Sequence, residues 1–316
     1  MIKVYQITED VDHKKVSEFA EGFELIYKPC KTQDDIIKNC SDAVVLISLY
    51  EPIDRRVIDA LTDLKYICVA SIGYNAVDVE YAKSRGILVS NNPSYCIEEV
   101  ADHTLALMLN CVRKINAYHK SVQEEGEWDY TKFGNTLRRM SNLTVSLIGF
   151  GSIARKVNER LRGFGCKVNV YDPYISDEMA EANAVEKVDL NVIREKADII
   201  SIHVPLLDST RKMINETFLT GLGKTPIIVN CSRGEIIDEQ ALLRALDKGQ
   251  IRAAALDVLE SEDPDSAYLK DLTHPNLLIT PHVAFYSREA VEECDTNVGK
   301  FVSAFVNGRQ GEIPLL

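Results

Sequence analysis

Short apolar runs alternate with amphipathic stretches along the whole chain, a pattern typical of parallel α/β proteins. In the first third, the apolar runs predict five strands, at 2–7, 23–27, 43–48, 66–70 and 87–89. Amphipathic stretches between them predict helices, for example over 54–61 and 77–84. A second series begins near residue 143 and predicts six more strands, at 144–148, 168–171, 199–203, 227–230, 253–257 and 277–279. Such a series predicts a doubly wound sheet that binds ligands at the carboxyl ends of its strands.

The segment 97–125 separates the two series. Its apolar residues recur at helical spacing and it contains no proline, so it predicts one helix of unusual length. A helix this long would span two units or pack against a partner chain. The segment after Ala290 is also helical and is too short for a third domain, so we expect it to return to the first.

The composition restricts the possible partners of the protein. The 316 residues include 36 Lys and Arg against 48 Asp and Glu, which gives a net charge of −12 without any basic run. Nucleic acid and anionic membranes require a positive surface, so we expect neither as a partner. No apolar run approaches the ~18 residues that span a bilayer, and acidic residues stand where a secretory leader has its apolar core. Eight scattered cysteines without metal-ligand spacing predict reduced thiols in a cytoplasmic protein, with no metal site.

A G-x-G-x-x-A sequence directly follows the first strand of the second series and opens a helical pattern. Gly149 permits the tight turn, Gly151 lets the backbone approach a pyrophosphate, and Ala154 lets the helix pack closely on the strand. The phosphates would lie at the start of the helix, where free N–H groups and the helix dipole favour anions. That first turn contains Ser152 and Ile153.

The following strand leads into an acid, Asp172, which stands 23 positions after Gly149. This is near the offset of about 20 at which a carboxylate binds the adenosine ribose 2′-OH. Strand, turn, helix and acid in this order favour a dinucleotide site over a purely structural glycine turn. Asp172 would repel a 2′-phosphate, and the next two residues, Pro173 and Tyr174, supply no arginine to bind one. We therefore expect NAD rather than NADP.

Residues with suitable chemistry follow three later strands of the same series, at 230–235, 256–264 and 280–286. Because the carboxyl ends of parallel strands converge, an arginine, a glutamate and a histidine from these segments could share one cleft. Hydride transfer to a carbonyl carbon makes an alkoxide, and histidine can protonate it near neutral pH. Arginine can bind a carboxylate and polarise the adjacent carbonyl. Taken singly, His282 could also be structural, Arg233 a helix cap and the acids at 260–263 a solvated loop.

Several short motifs occur in a fixed order along the chain. They are Ser71-Ile-Gly-Tyr-Asn-Ala-Val-Asp78, Asn91-Asn-Pro93, Val100-Ala-Asp-His-Thr104, the glycine turn with Asp172, Cys231-Ser-Arg-Gly234, Leu256-Asp-Val258 and Pro281-His282. In this order they resemble the D-isomer-specific 2-hydroxyacid dehydrogenase family over nearly the whole length. The resemblance implies two Rossmann-like or flavodoxin-like domains with doubly wound parallel sheets. A cofactor domain, residues 99–289, would be inserted into a substrate domain, residues 1–98 and 290–316.

The resemblance also implies roles for individual residues. The catalytic triad would be Arg233, Glu262 and His282, with Glu262 preferred to Glu260 because it stands five positions beyond Asp257. Members of the family are usually homodimers, held largely through the helix at 97–125. The remaining implied contacts are to the substrate, from Ser71, Ile72, Gly73, Tyr74 and Tyr286, and to the cofactor, from Val204, Pro205, Thr210, Cys231 and Asp257.

The expected reaction is reduction of a small 2-oxo acid by NADH to the D-2-hydroxy acid, with His282 as the acid. The loop at 48–51, Ser-Leu-Tyr-Glu, offers no arginine for a phosphate, which favours an unphosphorylated substrate. Two alternatives remain open: a 3-phosphoglycerate dehydrogenase, and a non-catalytic NAD-sensing protein of the C-terminal-binding-protein type that binds partner proteins. A formate dehydrogenase is disfavoured, because those enzymes pair the histidine with glutamine whereas this chain has Glu262.

Overall fold

The computed structural model describes all 316 residues, which form two compact units. The first comprises residues 1–96 and 286–316, and the second comprises residues 97–285. The sequence placed these boundaries two to four residues further along, at 98–99 and 289–290. The first boundary lies earlier because the helix that starts at Ile97 contributes to the core of the second unit from its first turns, through Ala101 and Leu105.

Five strands and four short helices alternate in residues 1–96, namely β1 (Ile2–Gln6), α1 (His13–Ser17), β2 (Phe23–Tyr27), α2 (Gln33–Asn39), β3 (Val45–Ser48), α3 (Arg55–Ala60), β4 (Tyr66–Val69), α4 (Val79–Ser84) and β5 (Leu88–Ser90). The strands are parallel and lie in the order β2-β1-β3-β4-β5, the flavodoxin-like arrangement. Every residue of β3 and β4 is buried. Because both faces of these strands are covered, their sequences are continuous apolar runs rather than alternating ones.

Seven strands and eight helices follow in residues 97–285, namely α5 (Ile97–Arg113), α6 (Ile115–Gln123), β6 (Thr144–Ile148), α7 (Ser152–Leu161), β7 (Lys167–Tyr171), α8 (Asp177–Ala182), β8 (Glu186–Lys187), α9 (Leu190–Lys196), β9 (Ile199–Ile202), α10 (Glu216–Thr220), β10 (Ile227–Asn230), α11 (Glu239–Asp247), β11 (Ala253–Leu256), α12 (Ser266–Asp271) and β12 (Leu277–Ile279). These strands are also parallel, in the order β12-β11-β10-β9-β6-β7-β8. The direction of winding reverses between β6 and β9, and such a switch point is where doubly wound sheets bind ligands. The predicted fold class is confirmed.

The last helix, α13 (Arg288–Val306), packs on the sheet of the first unit. The ring of Phe305 stacks on Tyr66 of β4 with 4.8 Å between centroids. The Cys294 thiol donates a hydrogen bond to the Ala70 carbonyl at 2.9 Å. The end of the chain therefore returns to the unit with which the chain begins.

The prediction of one long helix over 97–125 is wrong. Lys114 adopts a left-handed conformation, with φ 52° and ψ 41°, and divides the segment into α5 and α6. Two side chains support the break: Asn110 accepts the N–H of Asn116 at 3.1 Å, and the Lys114 ammonium donates to the Asn276 side chain at 3.2 Å. The apolar spacing of the segment could not reveal this, because the contact that orders Lys114 comes from a residue 162 positions away.

All eleven predicted strands are present, each end within two residues of its predicted position. The strand that the sequence missed is β8, a pair of exposed residues at the edge of the second sheet. Two residues are too few to carry an alternating pattern. None of the helices combines the length and apolar character required to span a membrane.

Candidate active site

The glycine turn lies between β6 and α7, beside the switch point of the second sheet. Gly149 has φ +92°, a left-handed conformation, and a Cβ at this position would stand 2.7 Å from the His203 carbonyl oxygen. Glycine is therefore required there for two reasons. A Cβ at Gly151 would meet no atom within 4 Å, so the space above the start of α7 is open. Ser152 and Ile153 begin that helix, and Ala154 is fully buried beneath it. The turn has the shape and the free N–H groups that a pyrophosphate requires.

The Asp172 carboxylate, directly after β7, forms hydrogen bonds to the backbone of the glycine turn and of its own loop. One of its oxygens accepts the Phe150 N–H and the other accepts the Tyr174 N–H, both at 2.8 Å. The negative charge is thus held at a fixed place next to the dinucleotide turn. A fixed carboxylate here suits a ribose hydroxyl and disfavours a 2′-phosphate.

Four of the other predicted cofactor residues follow β9 and β10, and the fifth, Asp257, follows β11. After β9, the Thr210 hydroxyl donates to the Pro205 carbonyl at 2.6 Å and accepts the Leu207 N–H at 2.8 Å, which fixes the loop that contains Val204. After β10, burial raises the pKa of the Cys231 thiol to about 12, so it remains protonated at neutral pH. Neither the Thr210 hydroxyl nor the protonated Cys231 thiol carries a charge.

His282 and Glu262 form a direct pair beyond the ends of β12 and β11. The His282 Nδ1 and Glu262 Oε2 atoms are 2.7 Å apart. An ionised carboxylate can only accept a hydrogen bond, so Nδ1 is the donor and Nε2 is the nitrogen left to exchange a proton. Glu260 lies elsewhere, accepting the Glu239 N–H at 3.1 Å and pairing with Lys212 at 3.4 Å.

The backbone of His282 is held in a rarely populated conformation, with φ +50°. Left-handed geometry costs a side-chain-bearing residue free energy, so surrounding contacts must maintain it. The His282 N–H donates to the Asp257 carbonyl at 2.8 Å. The Asp257 carboxylate, almost fully buried, accepts the Val283 N–H at 3.0 Å and the Ala284 N–H at 2.9 Å. Asp257 thus fixes the turn on both sides of the histidine.

Two further side chains complete this arrangement, and sequence reasoning gave neither a role. The Thr280 hydroxyl donates to the Asp257 carboxylate at 2.5 Å and lies 3.0 Å from the His103 Nε2 atom. Burial alone would raise the pKa of Asp257, but hydrogen bonds from His103, Thr280 and the two amides outweigh it and lower that pKa. His103 belongs to a motif quoted above and Thr280 stands two positions before His282. Nothing in their spacing indicated that they meet at Asp257.

Substitution of Thr280 tests whether its hydrogen bond to Asp257 helps to position His282. Replacing it by valine keeps the volume but removes the hydroxyl, and we expect kcat to fall roughly 10- to 100-fold because small displacements of a reacting group are costly. The dissociation constant of NADH should change less than threefold. Serine at this position should restore kcat to within about twofold of the starting protein. Steady-state kinetics of the reaction expected from the sequence measure these effects, and an unchanged kcat in the valine variant would refute the positioning role.

Arg233 is placed by a tightly constrained backbone after β10. Its carbonyl accepts the Asn230 side-chain amide at 2.8 Å, and its guanidinium donates to the Ser232 carbonyl at 2.6 Å. A Cβ at Gly234 would lie 1.9 Å from the Leu259 backbone, so this loop packs directly on the segment after β11. No hydrogen bond joins Arg233 to Glu262 or His282. The sheet order brings the ends of β10, β11 and β12 side by side.

The predicted substrate loop, Ser71–Tyr74, follows β4 in the first unit. Its carbonyl groups are fixed from within that unit: the Ile72 carbonyl accepts the Asn91 side chain at 2.8 Å, and the Ser71 carbonyl accepts the Asn92 N–H at 2.9 Å. The Ser71 hydroxyl donates to the Gly73 carbonyl at 2.6 Å. The side chain of Tyr286 is mostly exposed.

The chain was compared with known proteins. A family model described as "D-isomer specific 2-hydroxyacid dehydrogenase, NAD binding domain" matches residues 105–284. A D-3-phosphoglycerate dehydrogenase of Methanocaldococcus jannaschii is 36% identical over 99% of the chain and 59% of its own length, and a glyoxylate reductase of Korarchaeum cryptofilum is 33% identical over 98% of the chain and 93% of its length. The chain thus spans less than two thirds of the first relative.

A solved structure extends the comparison to the whole fold. The D-lactate dehydrogenase of Aquifex aeolicus, in complex with NAD and lactic acid, superposes with a TM-score of 0.85 at 26% identity, covering 99% of this chain and 98% of that one. Together with the family match over more than half of the residues, this leaves one assignment. The chain belongs to the D-isomer specific 2-hydroxyacid dehydrogenase family, and its cofactor is NAD.

Proposed function

We propose that this protein catalyses NADH-dependent reduction of a small 2-oxo acid to the D-2-hydroxy acid, and the reverse oxidation, with His282 as the acid and base. The observation that carries the proposal is the 2.7 Å hydrogen bond between His282 and Glu262. This pair lies beyond the carboxyl ends of two strands in the same parallel sheet that holds the dinucleotide turn. The names and functions of the similar proteins agree with this reaction.

Each residue of the site has a separate role in this reaction. Bound NADH supplies the hydride. Glu262 holds the His282 ring through Nδ1 and stabilises its positive charge, so that Nε2 delivers a proton to the carbonyl oxygen as negative charge develops there. Arg233 binds the substrate carboxylate and the carbonyl oxygen through its guanidinium fork. The substrate contacts expected from the first unit, through the backbone N–H groups of Ser71–Tyr74 and through Tyr286, belong to this proposal as well.

The cofactor is held by the second unit in this proposal. Gly149, Gly151, Ser152 and Ile153 bind the pyrophosphate, and Asp172 binds the adenosine ribose. Val204, Pro205, Thr210 and Cys231 line the remainder of the site. Asp257 contributes by holding the turn that contains His282, since its carboxylate already accepts hydrogen bonds from Thr280, Val283 and Ala284 and lies 3.4 Å from His103.

An unphosphorylated substrate is favoured by the loop after β3. The Glu51 carboxylate accepts the Leu49 N–H at 2.7 Å, and burial raises the pKa of Glu51. No lysine or arginine lies between Ser48 and Ile53, so a phosphate next to this loop would meet a carboxylate rather than a cation. The similarity to a phosphoglycerate dehydrogenase nevertheless makes 3-phosphohydroxypyruvate the second candidate substrate.

Three further properties belong to the proposal. Residues 1–98 and 290–316 act as the substrate domain and residues 99–289 as the cofactor domain. The protein is a homodimer through the α5–α6 region, which is supported by the exposure of Ile115, Trp128 and Tyr130 in that part of the chain. It works in the cytoplasm, where its eight free cysteines remain reduced.

A substrate panel tests the reaction and the choice of substrate together. NADH oxidation is measured with glyoxylate, pyruvate, hydroxypyruvate, longer 2-oxo acids and 3-phosphohydroxypyruvate. We expect at least one unphosphorylated acid to exceed the phosphorylated one by about tenfold or more in kcat/KM, equal to about 1.4 kcal/mol. The product should have the D configuration. Absence of turnover with every acid, despite binding of NADH, would refute the proposal and favour an NAD-sensing protein.

A further inference from the structure

A pocket of about 800 Å³ opens at the opposite edge of the second sheet, where the strands begin. Asp198 and Arg252, which line it, stand immediately before β9 and β11. Asp257 follows β11, so the four residues of that strand lie between Arg252 and the turn that contains His282, a distance of roughly 16 Å. The pocket is thus distinct from the site built around His282, and its volume is within the usual range for small-molecule sites.

The charge of the pocket is opposite to that of the protein. Three cations line it, Arg138, Lys224 and Arg252, with one acid, Asp198. The lining therefore carries a formal charge of +2, three positive groups against one negative, in a chain with a net charge of −12. The Asp198 carboxylate is almost fully buried and engages Lys224 at 2.9 Å and Arg138 at a longer 4.0 Å. One carboxylate cannot neutralise all three cations.

Arg252 is partly buried and has an unsatisfied hydrogen-bond donor. Its Nε atom is buried and has no hydrogen-bond partner. Burial, followed by repulsion from Arg138, lowers the pKa of Arg252. Burial also lowers the pKa of Lys114, to which Arg252 contributes repulsion. An unpaired buried donor and neighbouring like charges both cost free energy, and a bound anion would relieve both.

We propose that this pocket binds a small molecule through a phosphate group. A phosphate monoester carries a charge of about −1.5 to −2 at neutral pH, which matches the +2 lining. Its oxygens accept hydrogen bonds from guanidinium and ammonium groups, so Arg138, Arg252 and Lys224 are suitable donors. Neutral side chains add donors around the cations, since Asn135, Thr136 and Thr225 share the lining.

Calorimetric titration of phosphate into protein saturated with NADH tests the proposal. Saturation with NADH occupies the glycine turn, so phosphate cannot bind there in place of the pyrophosphate. Inorganic phosphate and glycerol 3-phosphate are titrated separately. The compound with the lower dissociation constant shows whether the ligand is free phosphate or a phosphorylated metabolite. We expect saturable binding of at least one of them, with one site per chain. Failure of both to bind would overturn the proposal.

The variant Arg252→Gln identifies the pocket as the site. We expect the dissociation constant of the ligand to rise about tenfold or more, equal to about 1.4 kcal/mol. The matched control is Arg309→Gln, which removes the same charge from an exposed ion pair in the first unit and should bind phosphate normally. If Arg252→Gln does not fold, Arg138→Gln serves, because its side chain is 45% exposed. Binding of equal affinity in the pocket variant would place the phosphate elsewhere and refute the assignment.

Discussion

Replacing His282 by asparagine is expected to lower kcat for 2-oxo acid reduction roughly 10²- to 10⁴-fold, the usual contribution of a general acid. Asparagine is the appropriate replacement because His282 has φ +50°, and asparagine tolerates this left-handed conformation better than alanine. The variant therefore removes the proton donor with the least change to the turn. The dissociation constant of NADH, measured by fluorescence titration, should remain within about threefold.

The partner of the histidine provides a graded control. Glu262→Gln keeps an acceptor for the Nδ1 proton of His282 but removes the negative charge, so we expect a smaller loss of kcat than in the His282 variant. Glu260→Gln should have little effect on kcat, because Glu260 contacts Glu239 and Lys212 instead. A His282→Asn enzyme that keeps kcat within about tenfold, a change of ~1.4 kcal/mol, would exclude His282 as the acid.

Replacing Arg233 by glutamine is expected to lower kcat/KM roughly 10²- to 10³-fold, with both kcat and KM affected. Both change because the guanidinium is proposed to bind the carboxylate in the ground state and the carbonyl oxygen more strongly as charge develops. The surrounding backbone should stay in place, since the Arg233 carbonyl is fixed by Asn230 and Gly234 packs on Leu259. Steady-state kinetics over a range of 2-oxo acid concentrations give both parameters.

Two further substitutions separate the guanidinium geometry from its charge. Arg233→Lys keeps the charge but loses the planar fork, so it should recover only part of the lost kcat/KM. Arg244→Gln removes an exposed arginine of the same unit that pairs with Glu216, and its kinetics should match those of the unchanged protein. Equal kcat/KM in the Arg233→Gln variant and the unchanged protein would contradict the substrate-binding role.

The strands were predictable because their burial leaves a direct pattern in the sequence. β9, β10 and β11 are buried at every residue, so each is a continuous apolar run between polar turns. The division of α5 from α6 was not predictable, because a left-handed Lys114 depends on a contact with Asn276 in a distant loop. Apolar spacing reports which face of a helix is buried but not whether the backbone continues.

The chemistry of the candidate site divides in the same way. The sequence indicated the types of residue and, through the resemblance, singled out Glu262 from its neighbours. Glu262 pairs with His282, whereas Glu260 accepts a hydrogen bond from Glu239 at the start of α11. Which acid meets the histidine depends on the path of the loop after β11. The support from Thr280 and His103 joins residues 177 positions apart, so no local spacing indicates it.

The sequence by itself thus determined the two parallel α/β series, the dinucleotide turn at Gly149 and the preference for NAD, because short-range patterns of burial and turn chemistry encode them. The tertiary structure alone decided the left-handed backbone of His282, the network at Asp257 and the cationic pocket around Arg252. The network and the pocket each bring together residues next to the ends of different strands, and the network holds the backbone of His282. Their proximity is set by the order of the strands in the sheet, which apolar patterns do not specify.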